Sequence, residues 1–356
     1  MLDSTILYSI KVVIFTLLIA ALSIPIVKKI AIHINALDIP NERKVHKKNM
    51  PRLGGLGIFF AFLVGYMFFA QNTIKMNSIL IGSFIIVLTG IIDDIKPLDA
   101  KDKLIGQLLS AAVIAFYGEI LLDNITAFGL NINFGYFAYP ITIIFIVACM
   151  NIINLIDGLD GLAGGISAIF FTTIIIICCF QGRTTGLEFT LALIMLGSTL
   201  GFLIYNFYPA KIFAGDSGAL FLGFIIAIIS LLGFKGTVLT SVFVPIMILG
   251  VPILDTFFAI IRRLLKHKKI TDADKQHLHH QLLGMKFSHR NTVLIIYGVN
   301  ILFATASIFY TLNEQIDIYI RRGIYIVLLI LVFWFVNKTN IITEKQFKIS
   351  KKSKNK

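Results

Sequence analysis

The feature that most limits how this chain folds is its succession of apolar runs, several of them longer than the roughly 18 residues that cross a hydrocarbon core of about 30 Å. Backbone in lipid has no water to bond, so spans of this composition are helical. Apolar residues make up 57% of the 356 positions and charged residues 14%, which excludes an ordinary soluble domain. The runs predict about eleven transmembrane helices in an all-α polytopic membrane protein, at approximately 6–27, 54–70, 77–93, 104–122, 140–156, 163–180, 187–206, 218–234, 238–258, 291–310 and 322–337. No repeat or linker divides them, so residues 1–338 read as one transmembrane domain and 339–356 as a basic tail. The first run lacks a basic leader and an Ala-x-Ala site and ends in Lys28-Lys29, so it is expected to stay in place as a span. The segment 123–139 alternates apolar and polar residues around glycines and predicts a short surface hairpin. The three cysteines lie inside apolar runs and read as small hydrophobes.

Orientation follows from the lysines and arginines. With the N-terminus outside, 26 of them fall on the inner side and 5 on the outer, with Lys11 inside the first span. The positive-inside rule therefore selects an outside N-terminus and a cytoplasmic C-terminus, with Arg321-Arg322 as the dissenting pair. The inner segments are 28–53, 94–103, 157–162, 207–217 and 259–290. A net charge of +13 is explained by these loops and their contacts with membrane lipids. No basic stretch carries interleaved aromatics, so nucleic acid is not an expected partner.

Under that orientation the polar residues of several helix ends gather on one side, and carboxylates at membrane depth are costly enough to mark functional cavities. Asp93-Asp94 closes the third span; adjacent carboxylates repel unless a cation is near, and the plainer alternative is a helix end dipping into water beside Lys96. Asn151, Asn154 and Asp157 recur every three residues as a polar stripe, followed by Asp160 among the helix-breaking glycines 158, 161, 164 and 165. The plainer reading there is loop chemistry with an aspartate cap. Asp216 opens the eighth span in Gly215-Asp216-Ser217-Gly218. It is either a helix cap, or a cation ligand beside backbone N–H groups aimed at a phosphate. Arg262-Arg263, just past the ninth span, and His277-Leu278-His279-His280 suit sugar and phosphate recognition. Zinc would need a further ligand that this loop lacks, and a merely solvated basic loop is the plain alternative. Lys44, His46, Lys47, Lys48 and Arg52, followed by Gly54-Gly55, form a basic patch that meets either lipid or a substrate phosphate. Clustered carboxylates, basic residues and broken helix ends together describe metal-assisted phosphoryl transfer. A cation-coupled transporter is the rival class, disfavoured because the carboxylates lie at helix ends and no inverted repeat is visible.

These motifs, in this order, resemble the polyprenyl-phosphate N-acetylhexosamine-1-phosphate transferase family. That family starts wall teichoic acid, O-antigen and enterobacterial common antigen synthesis. Phospho-N-acetylmuramoyl-pentapeptide transferase is its more distant cousin. The resemblance runs from Arg43-Lys44-Val45-His46 and Pro51-Arg52-Leu53-Gly54-Gly55 to His280. It implies that Asp93-Asp94 is the pair associated with Mg²⁺ and activation of the lipid phosphate. It makes Asp216 a Mg²⁺ ligand (Mn²⁺ as the substitute) on the nucleotide pyrophosphate. Asn154, Asp157 and Asp160 match Asn-x-x-Asp-Gly-x-Asp-Gly, and His277, His279 and His280 match His-x-His-His. The expected catalytic set is Asp93, Asp94, Asp157 and Asp160. The expected substrate-binding set is Lys47, Arg52, Asn154, Arg262, Arg263, His277, His279 and His280. The absence of Pro-x-His-His-His and the presence of an eleventh span argue for UDP-N-acetylglucosamine, a UDP-N-acetylhexosamine, as donor and undecaprenyl phosphate as acceptor. The implied location is the cell membrane with the site facing the cytoplasm; a homodimer is left open.

Overall fold

A computed structural model describes residues 2–40, 49–127, 130–233, 249–265 and 277–312, with isolated positions 246, 323 and 327. The helices among them are α1 (Leu2–His33), α2 (Gly54–Phe69), α3 (Ile74–Ile95), α4 (Ala100–Ala112), α5 (Ala138–Ile156), α6 (Leu162–Phe180), α7 (Leu187–Asn206), α8 (Gly215–Gly233), α9 (Gly250–Leu265), α10 (Leu278–Gly284) and α11 (His289–Leu312). A π-helical turn over Val113–Tyr117 continues α4. Seven helices among the described residues, α1, α3, α5, α6, α7, α8 and α11, are long and apolar enough to cross a bilayer. The chain is a multi-pass, all-α membrane protein. The other expected spans are shorter: α2 and α9 have 16 residues each. Helix α4 has 13 and opens with the polar Lys101-Asp102-Lys103. The eleventh expected span, apart from positions 323 and 327, and the tail lie outside the described residues, as do 238–245 and 247–248 of the ninth.

Two strand pairs complete the framework. β1 (Leu37–Asp38) pairs antiparallel with β2 (Met50–Pro51), which the sequence did not signal. The predicted hairpin is present: β3 (Asn124–Ala127) pairs antiparallel with β4 (Leu130–Asn133), Asn124 opposite Asn133.

Helix α8 is the axis of the bundle, packed against α2, α3, α5, α6 and α7. It is apolar all round, the pattern of a helix buried on every side. All its residues except Asp216 are buried, whereas only 33% of the α1 span is. Phe221 meets Phe59 and Phe62 of α2 at centroid distances of 5.5 and 5.3 Å, each pair contributing about 0.5–1.5 kcal/mol beyond its burial. Glycine lets backbones approach: a Cβ on Gly223 would lie 2.6 Å from both Cys149 O and Met150 Cα of α5. The one less buried residue of this axis, Asp216, therefore stands where the ends of α3, α4 and α5 gather.

Candidate active site

The first turn of α8 is built by glycine. Gly215 has φ +71°, a left-handed conformation that only glycine adopts freely. A Cβ there would run into the Asp94 carboxylate, and one on Gly55 or Gly90 would run into the backbone of Ser217 and Gly218. Helices α2 and α3 can thus close directly on this turn. Asp94 is buried and accepts the N–H groups of Asp216 (2.8 Å) and Ser217 (3.1 Å) and the Ser217 hydroxyl (2.7 Å). It caps α8 from a neighbouring helix, satisfying donors that a helix start leaves open. Of the N–H groups expected to face a phosphate, those of Asp216 and Ser217 here meet Asp94, and both oxygens of Asp94, expected to serve catalysis and a metal, accept protein donors.

Arg52 arrives by a backbone clasp. Its N–H donates to Ala36 O (3.1 Å), Phe213 N–H donates to Pro51 O (2.8 Å), and Gly54 and Gly55 donate to Phe213 O (2.9 Å) and Ala214 O (2.8 Å). The guanidinium then reaches Asp94 at 3.1 Å, Asp38 at 3.5 Å and Asp216 at 3.6 Å. Lys103 bridges Asp93 Oδ2, at 3.1 Å, and Asp216 Oδ2. Burial opposes the charge on both cations, but the facing carboxylates prevail and raise both pKa values. Asp93 Oδ1 accepts Leu98 N–H at 2.8 Å, and Asn154 Nδ2 donates to Asp216 Oδ1 at 3.0 Å. One turn behind, Asn151 and Gln107 exchange amide hydrogen bonds of 2.7 and 3.4 Å, locking α5 to α4.

Asp157 follows the end of α5, half-buried and facing this cluster. Burial first, then Asp216 and Asp94, with Arg52 opposing, push its carboxyl up to about 7. Gly158 lies against the His279 ring, where a Cβ would come within 2.5 Å of Nε2. The structure thus brings the histidine segment to the aspartate loop. Burial, then the neighbouring His280, His277 and His289, holds the pKa of His279 well below 6.5, and its Nδ1 has no partner among the described residues. His277 Nδ1 bonds Asp255 Oδ2 at 2.9 Å, and the other Asp255 oxygen accepts Leu278 N–H at 2.8 Å. His280 stacks obliquely on His279 at 4.2 Å. Asp160 faces elsewhere, accepting Ala210 N–H at 2.9 Å. The expected 259–290 loop is partly helical: Arg262 and Arg263 are buried in the last turn of α9, because the apolar residues around them carry the helix on to Leu265. Lys47 lies outside the described residues, as do 266–276.

The sequence reading missed Lys103, Asp38 and Asp255. Lys103 was counted only as an orientation charge. Asp255, a lone carboxylate in an apolar run, carried the signal that should have marked it. Five carboxylates (Asp38, Asp93, Asp94, Asp157, Asp216) surround Arg52 and Lys103, and Asp93 Oδ2 and Asp216 Oδ2 converge on one ammonium. Hard oxygen donors with excess negative charge fit a divalent cation. Among the described residues no three His, Cys, Asp or Glu are grouped closely enough to hold a metal ion by themselves.

A family model, glycosyl transferase family 4, matches residues 76–234, which hold Asp93, Asp94, Asn154, Asp157, Asp160 and Asp216. A probable undecaprenyl-phosphate N-acetylglucosaminyl 1-phosphate transferase of Bacillus subtilis is 44% identical over 97% of this chain and 96% of its own length. The chain belongs to glycosyl transferase family 4. A decaprenyl-phosphate N-acetylglucosaminephosphotransferase of Mycobacterium tuberculosis is 32% identical over 80% of this chain and 78% of its own length. A phospho-N-acetylmuramoyl-pentapeptide-transferase of Halalkalibacterium halodurans is 31% identical over 83% and 94%.

Proposed function

We propose that the protein transfers N-acetylglucosamine 1-phosphate from UDP-N-acetylglucosamine to undecaprenyl phosphate, giving undecaprenyl-diphospho-N-acetylglucosamine and UMP. The observation that carries this reading is the cluster of Asp93, Asp157 and Asp216 around Lys103 and Arg52 at one end of the bundle, in a chain 44% identical to a probable transferase of that activity. A lipid phosphate and a nucleotide both reach such a place, one from the bilayer and one from water. The positive-inside pattern supports a cytoplasmic face for it.

Asp216 and Asp93 would hold Mg²⁺, which when bound offsets charge on the pyrophosphate. Arg52, reaching three carboxylates, holds Asp216 and Asp94 in register and offers donors to a phosphate. Asp157, whose carboxyl is pushed up to about 7 by burial and the facing carboxylates, is the group suited to take the proton of the lipid phosphate. The lipid phosphate oxygen then bonds to the β-phosphorus as the bond to UMP breaks. His279, neutral and beside Gly158, borders the donor side with His277 and His280, and Asp94 acts through the α8 turn it caps. The product feeds a cell-envelope polysaccharide of the teichoic acid or O-antigen kind.

The test is UMP release by purified protein given UDP-N-acetylglucosamine and undecaprenyl phosphate, with Mg²⁺ and then with EDTA. Lipid- and Mg²⁺-dependent release supports donor, acceptor and ion together. Release only with UDP-N-acetylmuramoyl-pentapeptide moves the chain to peptidoglycan synthesis, and silence with both donors refutes the assignment.

A further inference from the structure

The five residues 157–161 between α5 and α6 do two jobs at once. Asp157 faces the carboxylate cluster and Gly158 faces His279, while the far half of the loop is tied to other elements. With glycines at 158 and 161, the segment has little conformational preference of its own. Its shape is therefore set by what grips it.

The grip comes from two places. Asp160 N–H donates to His289 Nε2 at 2.9 Å, and Asp160 Oδ1 lies 3.8 Å from the same nitrogen. The Tyr208 ring stacks on His289 at 4.7 Å and 29°. Asp160 Oδ2 accepts Ala210 N–H at 2.9 Å. Gly161 N–H donates to Asn206 Oδ1 at 3.0 Å, and Gly161 O accepts the Tyr297 hydroxyl. His289 opens α11, the helix that directly follows the histidine-bearing α10.

We propose that His289 is a positioning residue for the transferase reaction: its ring nitrogen and its stack on Tyr208 latch the 157–161 loop, and so set Asp157 and Gly158 against the carboxylate cluster and His279. The inference rests on the transferase reading. An Nε2 that accepts from a backbone N–H carries no proton, so the latch needs an acceptor at that point rather than a charge. Glutamine, whose side-chain carbonyl reaches the place of Nε2, should substitute; leucine should not.

The experiment measures kcat and KM for UDP-N-acetylglucosamine, thermal melting, and amide hydrogen exchange of the 157–161 peptide, in wild-type protein, H289L and H289Q. Expected are a loss in kcat/KM of roughly ten- to a hundredfold for H289L, with a melting temperature near wild type, and recovery to within about threefold for H289Q. Exchange in the loop should be faster in H289L only. Two results overturn the proposal: H289L matching wild type, or H289Q as impaired as H289L while folded. If H289L does not fold, Y208L replaces it, withdrawing the stacking face and leaving the hydrogen bonds; wild-type turnover and exchange in Y208L overturn the proposal equally. Wild-type protein that releases no UMP refutes the transferase reading, and the exchange arm then decides the latch by itself.

Discussion

Replacing Gly223 by alanine tests whether the site depends on the backbone packing of α8 against α5. The added methyl would lie 2.6 Å from Cys149 O and Met150 Cα, and neither backbone atom can rotate away. Restoring an ordinary 3.4 Å separation requires α5 and α8 to part by 0.8 Å. Asn154 is one turn beyond Met150, and its 3.0 Å hydrogen bond to Asp216 crosses the same interface. A rigid shift would lengthen that bond to about 3.8 Å, outside hydrogen-bonding range. Overpacking of this kind costs about 1–3 kcal/mol of stability, and a misplacement near 1 Å at a reacting centre costs on the order of a hundredfold in rate. The assay is UMP release in detergent micelles alongside a thermal melt. G298A serves as the control, since a Cβ at Gly298 meets nothing within 4 Å among the described residues. G298A should keep wild-type turnover. G223A working at more than about half the wild-type rate would refute the reasoning, because contact between helix backbones would then not set the placement of Asn154.

Other expectations follow from the same geometry. D216N removes an anion shared by Arg52, Lys103 and Asn154 and should abolish UMP release while the protein still elutes as a folded species. R52K keeps the charge but cannot fork to three carboxylates, so turnover should fall at least about tenfold; an R52K enzyme as active as wild type contradicts the bridging role. Asp157, raised to about 7 when folded, holds a proton that the unfolded chain releases near 3.8. Its contribution to stability is present below about 4 and lost as pH rises towards 7. In ion-free buffer D157N should therefore melt higher than wild type by a margin larger at pH 8 than at pH 5, and the reverse trend contradicts the shift. His279 should show neutral-imidazole NMR signals at pH 6, below its ordinary 6.5.

How much was legible in the sequence depended on whether a feature is local. Helix positions were readable because hydrophobic runs report the solvent around each segment: α5, α6 and α7 agree with their expected spans within a few residues. Asp93, Asp157 and Asp216 stood out as candidates because charge at membrane depth is expensive, and Asn154 because it continues a polar stripe on an apolar helix. What failed was long-range. Asp93 and Asp94 are neighbours in sequence, yet the helix turns one towards Lys103 and the other under α8. Arg52 reaches Asp216 only because residues 51–55 run along 213–214, a pairing with no local signature. The Asp255–His277 bond joins residues 22 apart across a segment with no periodic cue. Arg262 and Arg263 were placed beyond the ninth helix because charge was read as its end, whereas cations in a last turn suit the carbonyl end of a helix.

Arg52 and Lys103 have a consequence for how the protein matures. Acidic groups gathered at one end of a helix bundle would push one another apart during insertion and assembly. Here the chain brings its own counterions, one carried in by a strand clasp and one on the first turn of α4, so the cluster can close before any ligand arrives. On the proposed Mg²⁺ reading, assembly of this cluster needs no ion, unlike a small zinc domain that is unfolded without its metal. EDTA is therefore expected to abolish UMP release while leaving the thermal melt of the protein unchanged.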